Sequence, residues 1–151
     1  MMGHYGKTTA LAAACAVLAG YCATAPVAGP GETGWQSDHA FRVRAAGTPD
    51  AGEKSPAARR AQARRAARTM ARYIALEDFT AQVYNALDAG TATHAEVMAR
   101  VRKDFGSAIA AGSAVSEKYH GDGSCAIIYE IQSPHLKQNL ATLRNGLVVR
   151  R

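Results

Sequence analysis

The stretch SPAARRAQARRAARTMARYIALEDFTAQVYNAL, residues 55–87, predicts one long helix around which the rest of the chain is organised. Ser55 can accept hydrogen bonds from the free N–H groups of a first helical turn, and Pro56 has a φ angle that suits the first helical position. Further along, apolar residues recur at every fourth position, which is a helical pattern; they are Ala63, Ala67, Ala71, Ala75, Phe79, Val83 and Leu87. Because a turn holds about 3.6 residues, this stripe winds around the axis, and its alanines and its larger residues are expected to face different neighbours.

A second stripe on the same helix consists of four arginines, here called the arginine row: Arg60, Arg64, Arg68 and Arg72. It lies about 100° from the alanines around the helix axis, which predicts a charged outer face. With Arg59 and Arg65 these are six arginines and no acid in residues 59–72, and they supply most of the chain's net charge of +6. Two interpretations stay open: a solvated face, or a face that binds anionic lipid headgroups, another polyanion or an acidic partner.

Residues 1–25 have the features of a signal peptide: basic residues near the start, no acid, and an apolar run shorter than the roughly 20 residues that span a bilayer. The run ends in Leu18-Ala19-Gly20-Tyr21-Cys22, which resembles the lipobox of bacterial lipoproteins and makes Cys22 the candidate lipidation site. Tyr21 is larger than the small residue usual at that position, and Ala23-Thr24-Ala25 offers an ordinary cleavage site as the alternative. We therefore expect an exported protein, at the periplasmic face of the outer membrane or in the periplasm.

The remainder of the chain divides into a tether, one domain and a tail. Residues 26–39 are rich in glycine, proline and small polar residues and predict a flexible tether. The tether contains Trp35, the only tryptophan, which is expected to pack on the edge of the domain. Residues 40–145 form the predicted domain, which is long enough for a single modest core. Residues 146–151 predict a frayed basic tail.

Two further helices are predicted besides the long one. The long helix is expected to close with Gly90 as its C-cap. Thr93 and Glu96 have the spacing of a capping box, in which each side chain satisfies an otherwise unpaired backbone N–H group. This predicts a shorter helix that begins after Thr93 and ends at Gly106. A last helical segment is predicted over residues 136–143.

Alternating apolar residues predict three strands, over residues 40–45, 107–119 and 124–132. The second is expected to carry Ile109 and Val115 on one face, and the Asp-Gly pair that follows it predicts a hairpin turn to the third. The fold class is therefore α+β: a small antiparallel sheet of about three strands with the long helix and shorter helices packed on one face. Such a sheet leaves strand edges unpaired, so self-association into a homo-oligomer is expected.

No motif in the sequence requires a reaction, so no catalytic residue, cofactor or metal ligand is predicted, and an enzyme is not expected. The five histidines show no close pairing of the kind that metal sites use. Glu77 and Asp78 are adjacent, and neighbouring helical side chains point about 100° apart, which predicts a surface pair and not an acid/base pair. Cys125 lies in a predicted strand, has no base assigned to it, and is interpreted as a buried thiol.

Several short motifs lie in order across residues 43–131: Val43-Arg44-Ala45-Ala46-Gly47, the helix with Ala63, Ala66-Ala67 and Ala71 leading to Leu76, Phe79 and Val83, the helix around Val101, Val115-Ser116-Glu117-Lys118-Tyr119, and Asp122-Gly123. Their order and spacing resemble the LPP-twenty lipoprotein family, a group of small envelope lipoproteins that includes a flagellar assembly lipoprotein. The resemblance implies an outer-membrane or periplasmic protein without known catalysis. It also implies relatives that build ring or disk structures around the flagellar motor.

The sequence thus predicts a non-catalytic exported envelope protein, a lipoprotein-like structural or assembly factor that self-associates. Its expected partners are outer-membrane or other envelope components, with flagellar basal-body proteins among the candidates. The alternative is a periplasmic binding module whose arginine face binds anionic lipid headgroups or another polyanion, through Arg60, Arg64, Arg65, Arg68 and Arg72. Nucleic acid is not an expected partner, because export removes it and no aromatic residue is interleaved with these arginines to stack on bases.

Overall fold

The computed structural model describes residues 33–148, which contain four strands and three helices. In chain order they are β1 Gly34–Trp35, β2 Ala40–Gly47, α1 Pro56–Tyr84, α2 His94–Ala111, β3 Ser113–Tyr119, β4 Cys125–Gln132 and α3 Leu136–Val148. The strands form one antiparallel sheet in the order β1-β2-β4-β3. The predicted α+β class is confirmed, but the sheet has four strands and not about three. The additional strand, β1, has two residues, too few to show an alternating pattern.

Helix α1 begins as predicted and ends earlier than predicted. Ser55 is the N-cap, and its hydroxyl accepts a hydrogen bond from the Ala58 N–H at 3.4 Å. The helix ends at Tyr84, and Asn85 is its C-cap. The predicted C-cap, Gly90, does have a positive φ of 80°, but it lies in the loop that leads to α2. The apolar stripe is buried as far as Val83. Leu87, the last residue of the stripe, lies beyond the end of the helix and is only partly buried against the core.

The alanine stripe sets how closely α1 lies on the sheet. Ala63, Ala67, Ala71 and Ala75 are all fully buried. Gly47, at the end of β2, makes the closest approach: a Cβ atom there would lie 2.3 Å from the Ala67 nitrogen and 2.4 Å from the Ala63 oxygen. Small residues on both sides therefore let the backbone of α1 rest against the backbone of β2.

Aromatic side chains fill the wider space at the other end of α1. The ring centroids of Trp35 and Phe41 are 5.0 Å apart, those of Phe41 and Phe79 are 5.1 Å apart, and those of Phe79 and Phe105 are 5.9 Å apart. Residues 34–39, which the sequence assigns to a flexible tether, instead form β1 and the turn into β2. The reason is that Trp35 packs on this cluster while its Nε1 donates to Gln82 Oε1 at 2.9 Å.

Helix α2 has the predicted start and a different end. The capping box forms, since Thr93 N–H donates to Glu96 Oε2 at 2.7 Å and Glu96 N–H donates to Thr93 Oγ1 at 3.3 Å. The helix does not stop at Gly106 but continues to Ala111, so the first part of the predicted strand 107–119 is wrong. Ile109 extends the four-residue series of buried side chains, and its burial offsets the roughly 1 kcal/mol that a helical glycine costs.

The β3–β4 hairpin is confirmed where the turn was predicted. Gly123 has a φ of +86°, and its N–H donates to the His120 oxygen at 3.0 Å. One face of β4 is buried against the helices through Cys125, Ile127, Tyr129 and Ile131. Val115 does not share this buried face, contrary to expectation: it sits where the register shifts between Ala114 and Ser116 and is 48% exposed.

Helix α3 covers residues 136–148, which is longer than the predicted 136–143 and includes the first part of the predicted tail. Its apolar spacing continues, since Leu136, Leu140 and Leu143 are buried and Leu147 packs against the core. The predicted signal peptide, with Cys22, lies outside the described residues, as do residues 26–32 of the predicted tether and residues 149–151. Across residues 33–148, none of the helices combines the length and the hydropathy needed to cross a bilayer.

Candidate functional site

The arginine row lies over the edge strand β3. Because α1 seats its alanines on β2, side chains about 100° away around the helix reach sideways across the sheet. Arg64 Nε is 2.8 Å from Glu117 Oε1 on β3, and Arg68 Nη2 is 3.4 Å from the same oxygen. The predicted charged face therefore exists, but it bridges a helix and a strand and does not simply face solvent.

The two ends of the row make different contacts. Arg60 Cζ lies 5.8 Å from the centroid of the Tyr119 ring, a cation–π distance. At the other end, Arg72 Nη2 donates to the Ala110 oxygen at 3.0 Å and Arg72 Nε donates to Tyr129 Oη at 3.3 Å. The row thus follows β3 along its length, from Tyr119 beside the hairpin turn to Ala110 in the last turn of α2.

The row remains strongly positive after these contacts. Within the described residues, Arg64 and Arg68 share a single carboxylate, that of Glu117, and no ion pair is formed by Arg60 or Arg72. The side chains of Arg64 and Arg68 are 47% and 41% exposed, so their charges are accessible to an anion. The Nε atom of Arg68 is buried without a hydrogen-bond partner. This arrangement has more donors than its own acceptors satisfy, which is the charge pattern of an anion-binding surface.

Arg65, which the sequence groups with these arginines, lies elsewhere. It lines a groove on the opposite flank of α1, between the helix and the loop after β2. The groove also contains Asp50 and two exposed apolar side chains, Met70 at 47% and Tyr73 at 57% exposure. This flank is therefore close to neutral and partly apolar. The structure brings Arg60, Arg64, Arg68 and Arg72 together and leaves Arg65 apart from them.

Each flank of α1 lies beside one edge of the sheet. On one side, β1 pairs only with Phe41 and Arg42 of β2, and within the described residues no strand pairs with β2 beyond Arg42 on that side. On the other side, β3 is the last strand of the sheet. Within residues 33–148, β2 beyond Arg42 and β3 are thus the two edges of the sheet, and they differ in the chemistry of the helix flank beside them.

The carboxylates on α1 do not form an acid/base pair. Glu77 Oε2 lies 3.8 Å from His94 Nε2, and the interaction of the Glu77 carboxylate with Tyr73 raises the pKa of that tyrosine. Partial burial raises the pKa of Asp78, and the neighbouring charge of Glu77 raises it further. The two side chains have different surroundings, as expected for adjacent helical residues.

Two further features of the described residues are the thiol of Cys125 and a cavity between two helices. Cys125 is buried, and that burial raises the pKa of its thiol and keeps it protonated. A cavity of about 560 Å³ lies between α2 and α3, and its charged lining residues, Arg100 and Asp104, pair with each other at 2.8 Å. Among residues 33–148, no three histidine, cysteine or acidic side chains are grouped so that they could hold a metal ion.

One partly buried ion pair was not predicted from the sequence. Arg42 Nε donates to Glu130 Oε2 on the face of the sheet opposite the helices, and Gln132 donates to the other carboxylate oxygen. These hydrogen bonds, that from Arg42 above all, hold the pKa of the Glu130 carboxyl below its usual range, although burial opposes them. The signal was present as outward-facing charges at alternating strand positions, but only the β2–β4 register shows that Arg42 and Glu130 are opposite each other.

Comparisons of this chain with protein-family models, with curated proteins and with solved structures find no match.

Proposed function

We propose that this protein is a non-catalytic, exported envelope protein that acts by self-association, as a structural or assembly factor at the outer membrane or in the periplasm. The observation that carries the proposal is the open edge of β2 together with the groove beside it. Within residues 33–148 no strand pairs with β2 beyond Arg42 on that side, and Met70 and Tyr73 expose apolar surface in the neighbouring groove. An edge strand with adjoining apolar side chains is a favourable surface for a second copy.

Charge favours this edge over the other for self-association. Two copies paired through β3 would place two arginine rows side by side, and like charges at short range repel. On the helix side of the β2 edge, Arg65 and Asp50 are of opposite sign, and on the other face Arg42 is paired with Glu130. The repulsion between two copies is therefore weaker there than between two arginine rows. A two-fold pairing of β2 strands would also extend the sheet continuously across both copies.

A lipid surface is a less favoured ligand for the arginine row. Anionic headgroups form a layer, and charges bind it best when they project from the protein toward that layer. Arg64, Arg68 and Arg72 are instead held down against β3 and the end of α2 by their contacts with Glu117 and Ala110. The alternative function predicted from the sequence therefore has less support than self-association.

Light scattering of the purified full chain, with and without one substitution, tests self-association. We expect the unmodified chain to form a concentration-dependent oligomer and Met70→Glu to shift it to the monomer. Val115→Glu is the matched control, because Val115 is 48% exposed, like Met70 at 47%, but lies on the β3 side. A monomer at every concentration would overturn the proposal, and a loss of oligomer only in the Val115→Glu variant would move the interface to β3.

The intact mass of the protein purified from the cell envelope tests export. A diacyl- or triacyl-modified chain that starts at Cys22 supports a lipoprotein, and an unmodified chain that starts near residue 26 supports a periplasmic protein. A chain that retains residues 1–25 would contradict export. The resemblance to the LPP-twenty family makes the flagellar basal body one candidate location for such an assembly. Isolating basal bodies and searching for the chain in them would test this location.

A further inference from the structure

Within residues 33–148 no strand pairs with the outer edge of β3, and the backbone groups that face this open edge can be identified from the ladder. His120 N–H donates to the Ser124 oxygen at the hairpin end, so this pair is hydrogen-bonded across the ladder. Hydrogen-bonded and non-hydrogen-bonded pairs alternate along antiparallel strands. The pairs Tyr119↔Cys125 and Glu117↔Ile127 are therefore of the second kind. Their β3 members, Glu117 and Tyr119, direct their backbone N–H and C=O groups away from β4, toward the open edge.

The same two residues carry the side chains that lie under the arginine row. Glu117 pairs with Arg64 and Arg68, and the Tyr119 ring lies beside Arg60. A strand added antiparallel to β3 would form hydrogen-bonded pairs with Glu117 and Tyr119, about 4.8 Å farther out. Directly opposite residues point to the same face, so the side chains of those two added residues would also point toward the arginines.

We propose that the β3 edge binds an extended acidic segment of another protein as an additional strand, with Asp or Glu at two alternating positions. The backbone of the segment pairs with Glu117 and Tyr119, and its two carboxylates bind Arg60 and Arg64. The register shift at Ala114–Ser116 ends the regular part of the strand. The recognised segment is therefore short, with its acidic residues opposite Tyr119 and Glu117.

A second copy of this chain does not fit this role. Its twelve acidic residues are so distributed that no two of them stand two positions apart in the sequence. No segment of the chain can therefore place two carboxylates on one face of a strand at neighbouring positions. The occupant must be a different protein, and this site is distinct from the β2 surface proposed for self-association.

Fluorescence anisotropy with a labelled synthetic peptide tests the charge requirement. The probe is a short peptide in which glutamate alternates with valine and threonine, added to the full chain. We expect saturable binding that weakens with salt, and a loss of about tenfold or more in affinity in the double variant Arg60→Gln/Arg64→Gln. The single variant Arg60→Gln should also weaken binding, and Arg65→Gln is its matched control, since it removes one positive charge from the other flank of α1 and should leave the affinity unchanged.

The backbone requirement is tested with N-methylated versions of the same peptide. Methyl groups on the glutamate nitrogens remove the donors that face β3 and should abolish binding. Methyl groups on the intervening residues lie at the outer edge of the added strand and should be tolerated. Equal binding of both versions would overturn strand addition, whatever the effect of the arginine substitutions.

Two further probes separate this proposal from simple attraction of polyanions. A peptide of the same composition with its glutamates in one block keeps the charge but loses the spacing, and we expect it to bind several-fold more weakly. Vesicles with anionic headgroups should show little retention of the chain at the salt concentration where the alternating peptide binds. Retention on vesicles without binding of the peptide would overturn the proposal in favour of a lipid surface.

Discussion

Each side of the sheet ends in a strand edge, and the two edges differ in the side chains that α1 places beside them. The β2 edge lies next to a nearly neutral groove with exposed Met70 and Tyr73. The β3 edge lies under four arginines, of which only two are paired with a carboxylate, that of Glu117. A single helix therefore gives one sheet two kinds of surface, because its flanks lie on either side of one alanine stripe. The position in which α1 packs on β2 therefore determines the chemistry of both edges.

The largest effect is expected from a change that disturbs this seat. In Gly47→Ala the new Cβ atom would lie 2.3 Å from the Ala67 nitrogen and 2.4 Å from the Ala63 oxygen, both backbone atoms that cannot rotate away. We expect a loss of about 3 kcal/mol in the free energy of unfolding, at the upper end for overpacking. Chemical denaturation monitored by circular dichroism measures it.

Gly52→Ala is the control, because a Cβ atom there meets nothing within 4 Å. Its free energy of unfolding should change by no more than about 0.5 kcal/mol. If the two alanine variants were equally stable, the close approach of α1 to β2 would not exist, and the comparison between its two flanks would lose its basis.

Much of the fold could be predicted because an element that is buried on one face has apolar residues at regular intervals in the sequence. The stripe from Ala63 to Val83, the alternation in β2 and β4, and the Asp-Gly turn all carry such local signals. Where the local signal was ambiguous, the prediction was wrong. Gly106 predicted a helix end, but Ile109 continues the series of buried residues and α2 extends to Ala111. The strand β1 has only two residues and therefore no periodic pattern of apolar residues. It is recognised only in the structure, where Trp35 packs against the core.

The candidate site was half predicted for the same reason. The spacing of Arg60, Arg64, Arg68 and Arg72 places them on one flank of a helix, which is a local property. Their partner Glu117 lies 53 residues from Arg64 in the sequence, and no local pattern indicates that β3 runs beneath them. Arg65 was grouped with the row by its position in the sequence, although one residue turns a helix by about 100° and places it on another side.

A smaller effect is expected from the sheet face between the two edges, where Glu130 pairs with Arg42. Because its pKa is lowered in the folded protein, ionised Glu130 contributes stability above the pKa it has when unfolded. That contribution is lost as the pH falls through the lower, folded pKa. Glu130→Gln should cost about 1–2 kcal/mol at neutral pH, limited by the partial exposure of Arg42.

Urea denaturation from neutral to acidic pH measures this contribution. The unmodified chain should lose its advantage over Glu130→Gln as the pH falls, so that the two curves converge in acid. Curves that stay parallel over the whole range would show that Glu130 is not held ionised by Arg42, and that this face does not respond to pH through the pair.

The smallest effect on stability is expected from the arginine row itself, and it separates the two roles of that surface. Arg64→Ala removes a pair with Glu117 whose arginine is 47% exposed, and such pairs contribute roughly 0.2–1 kcal/mol to the free energy of unfolding. If the row serves mainly to hold α1 on β3, this small loss is its whole effect. If it serves to bind an acidic strand, the same substitution should weaken the alternating-glutamate peptide by several-fold while the unfolding midpoint barely moves. Measuring both quantities on one preparation distinguishes the two roles, because a loss of stability with unchanged peptide affinity would assign the row to the fold alone.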